Sequence, residues 1–279
     1  MAATTQLAVP ARTSTPLALW HLASLDAPSV AALWTFFLAR ACGIRLPLAT
    51  PAAMFLAVWV LYAADRLLDA RILDRQPWPR IASDLEARHY FHRAHRPAFL
   101  AAIASACLAL AALLPRLDQA ARRIFFIEGA LVIAWLLIVH VTRGARRLPK
   151  ELIVGLFFAA ATFTPTLARS PQLSAGLLPA AALFAAVCTL NCLFIHAWER
   201  ERPTTSLPRG LCAAAAVLAL ACLALALLSP ARPIPIACSL AATALLALDR
   251  NRRLLSRTHL RAAADLALLT PILLLPFLR

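Results

Sequence analysis

The sequence predicts an all-α fold, a polytopic membrane helix bundle of about nine transmembrane helices with a cytoplasmic N-terminus. The first observation is composition: 62% of the 279 residues are hydrophobic and only 15% are charged, whereas soluble domains are about 45–50% apolar and about 25% charged. The second is that the apolar residues form long stretches, and the third is that short Arg-rich segments separate them. Together these features exclude a soluble enzyme, a disordered chain and a small disulfide scaffold.

Nine stretches approach the roughly 20 apolar residues that a helix needs to cross about 30 Å of hydrocarbon. Pro233 and Pro235 fall at the start of the eighth stretch, where proline is tolerated because its missing N–H would have no partner there. We expect residues 1–27 to form a cytoplasmic N-terminal segment without a cleavable signal peptide, and residues 28–279 to form one transmembrane domain. The stretches are 28–44, 50–68, 97–114, 123–141, 151–168, 175–198, 211–228, 232–248 and 262–278.

The positions of the basic residues predict the orientation. With nine spans, 20 of the 28 Lys and Arg residues lie on the same side as the N-terminus, and cytoplasmic segments carry the Lys/Arg excess. The net charge of +15 is therefore a topology signal, and no nucleic-acid partner is expected because no soluble basic domain carries the charge. Abundant Ala, Leu and Arg with a single Lys indicates a GC-rich bacterial genome, so the expected location is a bacterial inner membrane.

Asp65 and Asp69 form the sharpest candidate site, at the predicted inner end of the second span. On a helix, residues four apart lie on one face, about 40° apart around the axis. Two like charges this close require a cation beside them. One interpretation is a pair of juxtamembrane ion pairs with Arg66 and Arg71; the other is a divalent-cation site, because carboxylate oxygens bind Mg²⁺ together with substrate phosphates.

A second polar segment lies at the predicted inner end of the sixth span. Asn191, Cys192, His196 and Glu199 fall on roughly one helical stripe, and a buried Asn or His in a membrane needs a polar cavity or a partner. A helix end followed by Pro203 is the simpler explanation of the acidic residues there. Both acidic clusters are predicted on one face of the membrane, however, which favours a shared site.

These two segments together resemble the UbiA family of membrane prenyltransferases, which has nine transmembrane helices and Asp-rich motifs at the cytoplasmic ends of helices two and six. Asp65, Arg66 and Asp69 match part of the family's NDxxDxxxD pattern, with Leu61 where that pattern has Asn. Glu199 and Glu201 resemble replacements of Asp in the second motif. The segment RRLPKELIVG at residues 146–155 is similar to the family's basic loop that leads into a Gly-containing helix.

The resemblance implies a prenyltransferase-like domain that transfers a prenyl chain, with Mg²⁺, from a polyprenyl diphosphate to a small, often aromatic acceptor within the lipid bilayer. Basic side chains would stabilise the departing diphosphate, and aromatic faces would stabilise the carbocation. The implied metal ligands are Asp65, Asp69, Glu199 and Glu201; the implied catalytic residues are Arg143, Arg147 and Lys150; and the implied substrate-binding residues are Tyr62, Arg66, Asn191, His196 and Trp198.

Other polar and sulfur-containing residues have simpler interpretations. His89, His92 and His95 are spaced so that the first and last point about 120° apart on a helix, which favours a basic lid or lipid-headgroup contact over a metal site. Glu128 and Asp265 lie inside predicted spans and require polar partners that the sequence does not name. The seven Cys residues contain no CxxC pair and are expected to pack as small apolar residues.

Two further functions remain as hypotheses. A non-catalytic UbiA-like protein that binds a lipid or a protein partner is supported by Leu61 in place of the motif Asn. A transporter would show internal repeats or paired broken helices near mid-membrane, and none is convincing in the sequence. A CDP-alcohol phosphotransferase is rejected, because only Ala70–Arg71 matches and the downstream Asp spacing is absent.

Overall fold

The computed structural model describes residues 15–70, 87–142, 150–200 and 209–278, and within these ranges the regular structure is entirely helical. Twelve α-helices follow in chain order. They are α1 (Pro16–Leu22), α2 (Asp26–Ala41), α3 (Ala49–Ala70), α4 (Ala87–Ala94), α5 (Arg96–Leu113), α6 (Gln119–Thr142), α7 (Lys150–Arg169), α8 (Ser174–Arg200), α9 (Arg209–Leu228), α10 (Pro233–Asn251), α11 (Arg257–Ala267) and α12 (Pro271–Leu274).

Each of the nine predicted apolar stretches coincides with a helix, or with α11 and α12 together at the C-terminal end. Seven helical segments in the described part of the chain are long and apolar enough to cross a membrane, and there are eight if α1 and α2 form one bent span. The prediction of an all-α membrane helix bundle is confirmed at this level. The count of nine spans and the side of the N-terminus remain predictions.

The chain bends by 90° between α1 and α2. Pro16 occupies the first turn of α1 and the side chain of Thr15 accepts a hydrogen bond from the N–H of Ala18, so the helix begins with a cap. Ser24 adopts a left-handed conformation with φ +61° in the break, which few residues other than Gly or Asn adopt. Residues 16–22, part of the predicted N-terminal segment, thus form a helix whose residues pack against α11 and α4.

The centre of the bundle is formed where α2, α7, α8 and α10 meet. Trp34 is fully buried; its ring lies 4.1 Å from that of Phe184 between centroids, and its Nε1 donates to the carbonyl of Leu268 at 2.8 Å. That hydrogen bond matters because an indole N–H buried away from water needs a partner. The hydrogen bond therefore joins α2 to the C-terminal end of α11.

Large apolar side chains cover the outside of α5, α6 and α9. Leu108, Phe126 and Leu227 are 74%, 60% and 81% exposed, and further exposed Leu, Ile and Val residues lie along the same helices. Water-facing surfaces of this kind are rare in soluble monomers, whereas a bilayer solvates them well. The outer surface therefore fits lipid.

Candidate functional site

A cavity of about 290 Å³ lies between α3, α6 and α7. Its walls are mostly apolar, with Val58, Val132 and Phe157 among the side chains that line it. Polar groups gather at one end, where α3 finishes and α11 begins. We call this the polar end of the cavity; its charged lining residues are Asp65, Arg66, Asp69 and Arg261.

Asp65 and Asp69 both line the polar end, as their four-residue spacing on α3 predicts. The sequence also offered Arg66 and Arg71 as their ion-pair partners. Arg66 makes no ion pair with either Asp in the described structure, and Arg71 lies outside the described residues. The interpretation of Arg66 as their counter-ion is therefore wrong, because its guanidinium turns towards the α1–α2 bend.

Arg66 is buried and fully engaged at that bend. Its Nη1 donates to the carbonyl of His21 at 2.8 Å and to Oγ of Ser24 at 3.0 Å, and its Nη2 lies 3.4 Å from Oδ2 of Asp26. Its Cζ also lies 5.5 Å from the centroid of the Tyr62 ring, within the range of a cation–π contact. Arg66 thus holds the cavity wall in place and positions Tyr62, which lines the same cavity.

Arg261 is a cationic lining residue that the sequence analysis did not single out. Its Nη1 forms an ion pair with Oε1 of Glu199, so α11 and the last turn of α8 meet beside the cavity. Glu199 itself does not appear in the cavity lining, and its carboxylate reaches the site through Arg261. The acidic residues of α3 and α8, which the sequence predicts to share one site, are therefore connected through Arg261 of α11.

The side chains of the predicted polar stripe on α8 contact different helices. Asn191 donates from Nδ2 to Oδ1 of Asp265 at 2.9 Å, and Nδ1 of His196 lies 3.8 Å from Oε1 of Glu151 on α7. Trp198 does not line the cavity, and its Nε1 donates to Oδ1 of Asp249 on α10 at 3.1 Å. Trp198 is thus a buried packing residue and not a lining residue of this cavity.

The basic residues proposed to contact the departing group are only partly described. Lys150 is the exposed first residue of α7. Arg143, Arg147 and Glu201 lie outside the described residues.

The three histidines of the 89–95 segment do not act as one group. His92 is completely buried and bonds Oγ of Ser24 through Nε2 at 3.0 Å, while His95 is exposed and bonds the carbonyl of Phe91. The side chain of His89 is outside the described part. The expectation of a basic lid fails for His92, because its ring packs on Phe99 at 4.1 Å between centroids and helps to fix the α1–α2 bend.

A second cavity of about 290 Å³ adjoins the first along α3, α5, α6 and α7. Glu128 and Arg122 line this second cavity and do not line the first. Thr164 donates to Oε1 of Glu128 at 2.9 Å, which supplies the partner that the sequence could not name. The two cavities share six lining residues: Met54, Val58, Leu61, Val132, Phe157 and Ala161.

Sequence reasoning missed His21 and Asp26, which form a buried hydrogen-bonded pair with 2.6 Å between Nδ1 and Oδ2. The only available signal was the segment HLASLD, in which a His and an Asp stand five residues apart before an apolar stretch. That spacing brings them together only because the chain bends sharply between them.

No protein-family model, no curated protein and no solved structure matches this chain.

Proposed function

We propose that this chain is a Mg²⁺-dependent prenyltransferase that acts within a bacterial inner membrane, with the polar end of its cavity facing the cytoplasm. Its substrates would be a polyprenyl diphosphate and a small acceptor. The observation that supports this most directly is the cavity itself, in which Asp65 and Asp69 stand at one end of an otherwise apolar chamber. An amphiphile with a diphosphate head and a hydrocarbon tail has the same division of polarity.

The donor set at the polar end suits Mg²⁺. Mg²⁺ is usually held by one or two carboxylates together with waters and substrate phosphates, and not by a complete protein cage. Asp65 and Asp69 supply two carboxylates from adjacent turns of one helix. When bound, the ion would neutralise charge on the diphosphate and polarise the bond to the leaving oxygen.

Protein side chains would complete the site. Arg261 carries a guanidinium at the cavity and would donate charge-assisted hydrogen bonds to diphosphate oxygens. As the allylic C–O bond breaks, its electron pair leaves with the diphosphate, and the face of Tyr62 would stabilise the carbocation. The acceptor then forms the new bond and loses a proton to water or a neighbouring base. Lys150, Arg143 and Arg147 remain predicted donors to the leaving group.

The experiment uses the purified full-length chain in lipid nanodiscs with Mg²⁺, radiolabelled polyprenyl diphosphate and a panel of aromatic acceptors. We expect diphosphate release and a labelled lipid product. Asp65→Asn and Asp69→Asn should each lower the rate on the order of 100-fold, because each removes charge that stabilises the departing group. Asp118→Asn is the matched control, since Asp118 caps α6 away from the cavity and Asn caps a helix equally well.

A non-catalytic relative that binds a prenyl lipid is the alternative, and one observation favours it. Glu199, one of the implied metal ligands, is already paired with Arg261, and Leu61 places an apolar side chain in the cavity. Mg²⁺-dependent binding of the diphosphate without release or product, across the acceptor panel, would support this alternative. Equal turnover by the wild type and both Asp variants would overturn the assignment of the site.

A further inference from the structure

A second cluster of ligating side chains lies behind the cavity wall, at the α1–α2 bend. It comprises His21 from α1, Asp26 from α2 and Asp265 from α11. One potential ligand atom from each residue lies within 4.8 Å of the other two. His21 and Asp26 are buried and Asp265 is half-buried. None of these residues belongs to the pair of carboxylates at the polar end.

The two carboxylates of the cluster differ in their ion pairs: among the described residues, Arg66 pairs with Asp26 and not with Asp265. Arg66 lies 3.4 Å from Asp26, which is longer than the 2.7–2.9 Å typical of charge-assisted bonds; its closer bonds go to uncharged oxygens. In the described part of the chain, the hydrogen bond that reaches Asp265 comes from the neutral amide of Asn191. Arg261, one turn before Asp265 on α11, is ion-paired with Glu199, so no ion pair of the described residues reaches Asp265, in a location where unpaired charge costs several kcal/mol. The cluster therefore favours a further cation.

Asn191 supplies an independent indication of a ligand. The residue is only 4% exposed, and its Oδ1 is buried without a hydrogen-bond partner among the described residues. Buried amide oxygens are rarely left unsatisfied. Its Nδ2 already contacts Asp265, so rotation of the amide by 180° would bring Oδ1 to the same place and present an oxygen to a cation there.

The donor types select the class of cation. Carboxylates alone suit Mg²⁺, whereas imidazole together with carboxylates suits Zn²⁺, Mn²⁺ or Fe²⁺. Ligand atoms about 2.0–2.1 Å from a tetrahedral metal lie about 3.3 Å from one another. The contact between His21 and Asp26 is 2.6 Å, and the upper limit within the cluster is 4.8 Å. Side-chain adjustments of about 1.5 Å or less would therefore assemble the site.

We propose that His21, Asp26 and Asp265 bind a divalent transition-metal ion at a site separate from Asp65 and Asp69, with Asn191 as an oxygen donor. The metal replaces the proton between Nδ1 of His21 and Oδ2 of Asp26. Because the ligands come from α1, α2 and α11, the ion joins α1 and α2 to α11. Asp265 lies one helical turn after Arg261, so the ion also fixes the part of α11 that reaches the polar end of the cavity.

Mn²⁺ is the probe, because its paramagnetism reports both binding and the identity of its ligands. The full-length chain, stripped with a chelator and reconstituted in nanodiscs, is titrated with Mn²⁺ and followed by electron paramagnetic resonance. The double variant Asp65→Asn/Asp69→Asn is titrated in parallel to remove binding at the polar end. We expect one Mn²⁺ to remain in that variant, with electron spin-echo modulation from a directly bound ¹⁴N of histidine.

Two ligand variants in that background test the assignment. His21→Ala should abolish the ¹⁴N modulation, and the isosteric Asp265→Asn should weaken Mn²⁺ binding by about tenfold or more. His196→Ala is the matched control, because His196 also lies near a carboxylate, 3.8 Å from Glu151; it should leave both signals unchanged.

Three results would overturn the proposal: no bound Mn²⁺ in the double variant, bound Mn²⁺ without ¹⁴N modulation, or modulation that survives His21→Ala. If His21→Ala does not fold, the Asp265→Asn titration and the comparison with His196→Ala still decide the question. None of these readouts involves turnover, so the metal site and the proposed prenyl transfer can fail separately.

Discussion

Gly155 shows how a single residue sets the distance between two helices. A Cβ atom at this position on α7 would lie 2.7 Å from the carbonyl oxygen of Ala185 and 2.9 Å from the backbone nitrogen of Thr189 on α8. Such distances to backbone atoms cannot be relieved by a change of rotamer. Small residues at membrane helix interfaces permit this kind of close approach, and α7 carries both the cavity wall and Glu151.

Gly155→Ala should therefore destabilise the protein by about 1–3 kcal/mol, the usual cost of overpacking. The measurement is thermal unfolding in detergent, followed by circular dichroism. Gly176→Ala on α8 is the control, because a Cβ atom added there would meet no atom of the described residues within 4 Å; it should leave the midpoint unchanged or raise it. Equal midpoints for Gly155→Ala and wild type would show that α7 and α8 are less closely packed than these distances indicate.

At the scale of an element, the α1–α2 bend is stabilised by side chains that reach it from α3 and α4. Trp59 donates to the carbonyl of Ala23 at 3.1 Å, and Arg66 donates to the carbonyl of His21 and to Ser24. His92 bonds the same Ser24 hydroxyl. Backbone groups freed by a helix break must find partners inside a membrane, and these side chains supply them.

Arg66→Lys should disrupt the bend although it preserves the charge. A lysine ammonium cannot reproduce the fixed fork that bonds His21, Ser24 and Asp26 together, and breaking a buried charged pair costs about 3–5 kcal/mol. We expect a lower unfolding midpoint and faster hydrogen exchange in residues 16–26. Arg96→Lys, at an exposed position on α5, should change neither; fast exchange in both variants would mean that Arg66 does not hold the bend.

The helices could be predicted from the sequence, but the bend could not. Apolar stretches of membrane-spanning length identify helices because their backbone groups must be satisfied internally, and α3 and α8 begin and end within a few residues of the prediction. The contact between His21 and Asp26 depends instead on Ser24 in a left-handed conformation. No propensity predicts that conformation for serine.

Contacts within one helix of the candidate site could be predicted from the sequence, whereas contacts between distant helices could not. Asp65 and Asp69 could be placed together because their spacing is local to one helix. The partner of Arg66 could not be predicted, because Asp26 lies 40 residues away along the chain. The same applies to Glu128 with Thr164 and to Asp265 with Asn191, which are joined only by the packing of distant helices.

At the scale of the whole molecule, two apolar cavities adjoin beside α3 and share six lining residues; under the proposed function, the prenyl tail would occupy both as one passage. From Asp65, where the chain of the substrate would leave the polar end, to Ala53 in the second cavity, α3 extends about 18 Å at 1.5 Å per residue. A peptide unit has three main-chain bonds and extends about 3.5 Å. An isoprenoid repeat has four main-chain bonds, so at the same length per bond it extends about 4.5 Å. The passage would therefore hold about four repeats of a prenyl chain under the proposed function.

Ala161→Phe should shorten that passage, since Ala161 lines both cavities where they meet. We expect the preferred substrate to shift to chains about two repeats shorter, measured as the ratio of kcat/KM for short and long polyprenyl diphosphates. Ala160→Phe is the control, because Ala160 is the adjacent exposed residue of α7 and does not line either cavity. An unchanged ratio in Ala161→Phe would mean that the tail does not follow this passage.

The contacts between α1, α2 and α11 also constrain the order in which the protein can be completed during translation. Asp26, Trp34 and Arg66 are synthesised about 200–240 residues before Asp265 and Leu268, whose carbonyl accepts the hydrogen bond from Trp34. At about 5–20 residues per second, this delay is about 10–50 s. The helices α1 to α3 must therefore remain in the membrane with buried charged groups until α11 is synthesised and completes their environment.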